Sequence, residues 1–88
     1  MFDRKVWREA MLRDPLLDPT VKLVGLHVWV FSGNDGLSDP GGSFAMATDL
    51  NLTVSTVMAC LRRLEKDGWL RCYADDICFL SSRAASAD

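Results

Sequence analysis

Groups from which catalysis is usually built are scarce in this sequence. There is one histidine, His27, and it stands in the most apolar stretch of the chain. A hydrogen-bonded structural role is expected of it there, because no triad or pair of carboxylates can be assembled around it. The expectation is a protein that is not an enzyme. The glycine-rich segment 33–42 lacks the Gly-Lys-Ser/Thr ending of a phosphate-cradling loop, and its Asn34, Asp35 and Asp39 miss the ligand spacing of a calcium loop. Three cysteines, Cys60, Cys72 and Cys78, are an odd number and lack the short paired spacing of structural zinc sites. Neither a disulfide framework nor a metal centre is expected, and no cofactor is implied. A three-residue turn would nonetheless set Cys72 opposite Cys78, the arrangement that a redox-sensitive cross-strand pair requires.

Long apolar runs are missing as well. The longest, residues 23–31, contains Gly25 and His27 and falls far short of the roughly 20 residues that a membrane span needs. Asp3, Arg4, Lys5, Arg8 and Glu9 interrupt the N-terminus before the apolar core of a signal peptide can form. A cytoplasmic protein without a membrane partner is expected.

A surplus of positive charge is also absent: 10 Lys and Arg stand against 12 Asp and Glu, for a net charge of -2. Nucleic-acid-binding domains often carry a basic patch, so the charge has to be read by position. Residues 53–73 hold four basic and two acidic groups, residues 1–22 five and four, and residues 23–52 no Lys or Arg against three Asp. Positive charge is therefore most concentrated between residues 53 and 73.

What is present is an ordinary globular balance, 49% hydrophobic and 25% charged over 88 residues, enough for one domain with a modest core. The domain is expected to occupy residues 1–80, with residues 81–88 a disordered tail because they are small and polar. Asp3 is placed to cap a helix reaching about Leu12, on which Val6, Trp7, Ala10 and Met11 share one stripe. Asp18 and Pro19 open a second helix that runs to about Phe31 and stops at Gly33. Apolar residues surround most of this second helix, which implies burial on more than one side. The N-terminal helix and a second copy of the chain are the candidates to cover it, so Trp7, Met11 and Trp29 are expected at a homodimer interface.

Segment 33–42 reads as a connecting loop. Ser43 or Gly42 then caps a short helix over residues 44–50, residues 51–53 turn, and Thr53 caps a longer helix, Val54–Lys66, that ends before Gly68. Asn51 stands where the shorter helix must stop in a left-handed conformation. Ala47 is small where the two helices cross, and Met46, Leu50, Leu52, Val57, Leu61 and Leu64 supply their packed faces. Two helices joined in this way form a helix-turn-helix. Residues 69–73 and 77–80 read as strands joined by Ala74, Asp75 and Asp76, a hairpin that forms a wing. The expected fold is mainly α with a small β-hairpin, a winged helix-turn-helix with an extra N-terminal helix.

Residues 17–70 resemble the winged helix-turn-helix domains of bacteriophage and plasmid replication or regulatory proteins. The resemblance is carried by Asp18-Pro19-Thr20-Val21-Lys22-Leu23-Val24, by Asn34-Asp35-Gly36, by Met46-Ala47-Thr48-Asp49-Leu50-Asn51-Leu52-Thr53, by Ser55-Thr56-Val57, and by residues 61–70, Leu-Arg-Arg-Leu-Glu-Lys-Asp-Gly-Trp-Leu. It implies a small phage or mobile-element regulator that lays the helix Val54–Lys66 in the major groove of double-stranded DNA.

With residues placed 100° apart, turning Val57, Cys60, Leu61 and Leu64 inward leaves Ser55, Ala59, Arg62 and Lys66 outward, flanked by Thr56, Met58 and Arg63. Ser55 and Thr56 are then expected at base edges, and Arg62, Arg63 and Lys66 at phosphates. A homodimer would bring two such helices to half-sites about 34 Å apart and compensate for weak binding by one copy. The acidic wing tip Asp75-Asp76 would be repelled by phosphates and supports a second reading. In that reading the fold serves as a protein interaction module, such as a phage-encoded inhibitor or adaptor of a host protein, with Met58, Trp7 or Trp29 as anchors.

Overall fold

The structure is a computed structural model and describes residues 3–73 and 78–81. The expected wing tip (Ala74, Asp75, Asp76), Ile77 and residues 82–88 of the expected tail lie outside the described residues. The described part forms four helices and three short strands in the order α1 (Arg4–Arg13), α2 (Pro19–Val30), β1 (Leu37–Ser38), α3 (Gly42–Leu50), α4 (Val54–Lys66), β2 (Leu70–Cys72) and β3 (Cys78–Leu80). It is a mainly helical chain with a small antiparallel sheet.

Local chemistry sets most of the helix ends. The Asp3 carboxylate accepts the backbone N–H groups of Lys5 and Val6 at 3.0 and 3.1 Å, satisfying donors that the first turn of α1 leaves open. Asp18 does the same for Thr20 at 3.3 Å, with Pro19 in the first helical position. Thr53 caps α4 by accepting the Thr56 N–H at 3.1 Å. At α3 the sequence reading is corrected. The cap is Gly41, left-handed at φ 82°, and the helix begins at Gly42. No side chain bonds to that end, so the sequence carries no capping signal there. Helix α2 ends at Val30 with Phe31 as its C-cap, within one residue of the end expected from the sequence.

The connecting loop is not wholly irregular. Gly36 at φ 85° turns the chain, and Leu37 and Ser38 then pair antiparallel with Phe79 and Cys78. The sheet therefore has three strands, ordered β1-β3-β2, where the sequence suggested a two-stranded hairpin. A strand of two residues, one of them serine, has too little alternation to be read from sequence. The Ser38 hydroxyl is fully buried and donates to the Val28 carbonyl at 2.7 Å, which ties β1 to α2. Ser81 also belongs to the fold, since its N–H donates to the Trp69 carbonyl at 2.9 Å and its hydroxyl bonds the Gly68 carbonyl. The expectation that places Ser81 in the tail is corrected for that residue.

The core lies where α1, α2 and α4 meet the sheet. Trp7, Met11, Val24, Val28, Val57 and Leu64 are among its least exposed members. Trp7 stacks edge-on against Trp69 with ring centroids 6.0 Å apart, and its indole N–H donates to the Trp69 carbonyl at 3.0 Å. That bond satisfies the polar end of a large buried aromatic. Met11 passes over α2 at Gly25, where an added Cβ would stand only 3.0 Å from the methionine methyl carbon.

This packing corrects the expected dimer interface. Trp7 and Met11 are 1% and 0% exposed within a single copy, so neither offers surface to another. Trp29 is half-buried and covered by α1: the Arg4 and Arg8 guanidinium groups sit 4.3 and 4.7 Å from its ring, and its indole N–H donates to the Arg4 carbonyl at 2.8 Å. The apolar face of α2 is buried within the chain itself at Val21, Val24 and Val28. What remains exposed at α2 is Leu23, Val30 and, at its end, Phe31.

Candidate nucleic-acid interface

Helices α3 and α4 are joined by Asn51, Leu52 and Thr53, and the chain direction bends by 110° between them. Asn51 makes the bend possible by adopting φ 56°, ψ 44°, while its N–H donates back to the end of α3. It is the only non-glycine residue with positive φ among the described residues. The Leu52 N–H then closes on the Ala47 carbonyl at 2.9 Å, and buried Met46 and Ala47 hold α3 against α4.

Helix α4 buries Val57, Cys60 and Leu64, half-buries Leu61, and leaves Ser55, Ala59, Arg62 and Lys66 exposed as one stripe. Of the flanking residues, Met58 is 40% exposed. Thr56 is half-buried and belongs to the cap, its N–H bonded to Thr53 and its hydroxyl accepting from the Thr53 hydroxyl at 2.8 Å. A residue committed to the cap is less free to meet a base edge than its place in the sequence suggests.

Arg63 departs further from expectation. Its guanidinium donates to Asp67 at 2.9 Å and to the Leu16 carbonyl at 3.0 Å, and the Asp67 carboxylate raises its already high pKa. The side chain fastens α4 to the segment between α1 and α2, and its charge is matched within the chain. Arg71 on β2 is exposed and was not singled out by sequence reasoning, which looked along the helix alone. Outside the Arg63–Asp67 pair, the exposed cations of this region are Arg62, Lys66 and Arg71, with Glu65 beside them accepting the Cys72 N–H at 3.4 Å.

Alongside α4 lies a cavity of about 150 Å³ lined by Ser43, Met58, Leu61, Arg62 and Glu65, with Cys72 and Cys78 completing it. The two thiols face each other across β2 and β3, with their sulfur atoms 2.8 Å apart.

His27 is distant from this face in role: its Nε2 lies 3.3 Å from the Asp49 carboxylate, and its ring packs on Phe31. Asp35 and Asp39 accept the N–H groups of Leu37 and Gly41, so both acids organise turns. Among the described residues no three His, Cys, Asp or Glu side chains converge as a metal site, and no single helix is long and apolar enough to cross a membrane. The chain matches no family model, no curated protein and no solved structure.

Proposed function

We propose that the chain is a winged helix-turn-helix protein that binds double-stranded DNA as a homodimer, with α4 in the major groove. The observation that carries this reading is the 110° bend across the three-residue turn, within the range of DNA-binding helix-turn-helix motifs, together with an outer face on α4 that the chain itself does not cover. The hairpin after α4 is the wing of that reading.

Small residues on the outer stripe permit close approach: Ala59 can touch a thymine methyl and Ser55 can bond either kind of base. Arg62 and Lys66 reach phosphates, with Arg71 on the adjacent strand as a third contact. Three cations give one copy a weak, salt-dependent attachment, and pairing of two copies strengthens it by avidity. With Trp7 and Met11 sealed in the core, α2 still offers Leu23, Val30 and, at its end, Phe31 as exposed apolar surface for a second copy.

The test is binding to a mixed pool of duplex DNA at low and moderate salt, comparing the wild type with an Arg62→Ala, Lys66→Ala double variant. Affinity that falls with salt and drops in the variant supports the reading. Each lost phosphate contact is expected to lower the salt slope by about one. Absence of binding at low salt overturns it.

One observation favours a second reading, in which the same fold grips a protein. Met58 is exposed beside the cavity on α4, and Phe44 at the start of α3 is 76% exposed, an apolar surface that DNA does not require. Retained binding to a protein partner with none to DNA is the outcome that selects it.

A further inference from the structure

The cysteine pair has properties that DNA binding does not use. Cys72 and Cys78 are directly opposed in the antiparallel register of β2 and β3. The Cys72 N–H turns away from β3 towards Glu65, as it does in the non-hydrogen-bonded kind of antiparallel pair. In that kind the Cα atoms lie about 4.5 Å apart, within the span that a disulfide bridges without backbone movement. Both residues are free thiols in this structure, and their sulfur atoms stand at 2.8 Å.

The two sulfurs are not equivalent. Cys78 is 2% exposed, whereas Cys72 is half-buried, and both border the cavity beside α4. The hydrogen bond between the two sulfurs lowers the pKa of Cys72 against the opposing effects of burial and Glu65. The same bond, with burial, pushes the Cys78 thiol up. A more accessible sulfur that ionises readily, backed by a neighbour that keeps its proton, is the division of labour between an attacking and a resolving cysteine.

We propose that Cys72 and Cys78 form a thiol–disulfide exchange site that reacts with low-molecular-weight disulfides of the glutathione class and closes to a cross-strand disulfide. The Cys72 thiolate attacks one sulfur of the small disulfide. The S–S bond breaks, and the departing thiolate takes a proton from solvent. Cys78 then loses its proton to solvent and attacks the Cys72 sulfur, forming the internal disulfide and releasing the second small thiolate, which is protonated in turn. Two protein thiols are oxidised and one small disulfide is reduced to two thiols, and an excess of small thiol reverses both steps. The site does not depend on what α4 binds. Its state reaches α4 all the same, because Met58, Arg62 and Glu65 share the cavity with the two sulfurs and Glu65 holds the Cys72 N–H.

The experiment incubates the folded chain with glutathione and glutathione disulfide in graded ratios, quenches with acid, alkylates in denaturant and weighs the intact protein. The expected product has lost two hydrogens and accepts alkylation only at Cys60, and added glutathione restores the reduced form. The same titration in urea is the reference. The folded chain should oxidise at a ratio of glutathione disulfide to glutathione roughly tenfold lower than the unfolded one, because the fold holds the two thiols together. Cys78→Ser should halt at a glutathione adduct on Cys72, while Cys72→Ser should stay unmodified over the same interval. The proposal is overturned if the folded wild type forms no internal disulfide in excess glutathione disulfide, if it oxidises no more readily than the urea-unfolded chain, or if Cys72→Ser acquires the adduct as fast as Cys78→Ser.

Discussion

The Arg63 guanidinium donates to the Leu16 carbonyl at 3.0 Å, so a side chain expected to reach outward from α4 is turned back to hold the segment that joins α1 to α2. Replacing Arg63 with Ala removes that bond and the bond to Asp67 together. The expected result is a lower urea midpoint with an unchanged m value, and a DNA affinity that falls far less than in Arg62→Ala. Urea denaturation and DNA titration of the two single variants check this. Equal loss of DNA affinity in both would place Arg63 at the DNA after all.

Asn51 turns the chain in a conformation that costs an ordinary L residue about 1 kcal/mol. Asn51→Ala is expected to lower stability by roughly that amount, and Asn51→Gly by less, since glycine adopts positive φ freely. Thermal unfolding of the two variants measures the difference. Equal stabilities would show that the bend does not depend on residue 51.

Much of the helical framework is legible in the sequence because its determinants are local. Asp3, Asp18 and Thr53 cap the helices they precede, Asn51 turns where a left-handed residue is required, and α4 spans the residues that its periodicity marks. What escapes is decided by distant partners. Strand β1 exists because Phe79 and Cys78 lie beside it, forty residues on, and nothing in Leu37-Ser38 alone announces that. Trp7 and Met11 look like surplus apolar surface until Trp69 and Gly25 are seen to receive them. The candidate site shows the same divide. The outward stripe of Ser55, Ala59, Arg62 and Lys66 follows from helical spacing, whereas the diversion of Arg63 to Leu16 and the arrival of Arg71 from the sheet do not.

If the chain pairs through α2, the exposed residues carry the contact. Leu23→Lys with Val30→Lys is expected to convert a dimer to a monomer in sedimentation velocity while leaving the helical circular dichroism unchanged. By contrast, Met11→Ala opens a cavity in the core and should cost about 2–5 kcal/mol of stability. A wild type that sediments as a monomer at every concentration contradicts pairing.

Cys72 is expected to be alkylated at a pH below that of an ordinary thiol, because the Cys78 S–H stabilises its thiolate. The linked stability follows from proton counts. Between the lowered Cys72 pKa and the ordinary thiol value, the unfolded chain binds more protons than the folded one, so stability rises with pH. Above the ordinary value the unfolded pair has lost both protons while Cys78 retains one, so stability falls. Iodoacetamide kinetics against pH in a Cys60→Ser background, with Cys78→Ala as control, tests the cause. Removal of the donor should return Cys72 towards ordinary thiol behaviour.

The central claim is that α4 presents its outer stripe to DNA, and amide chemical shifts of the labelled chain, titrated with a mixed duplex at low salt, test it most directly. The account predicts that the largest changes fall on Ser55, Ala59, Arg62 and Lys66, with Arg71 following and the buried positions Val57 and Leu64 little affected. Changes centred on another face, or a spectrum unmoved by DNA, would contradict it.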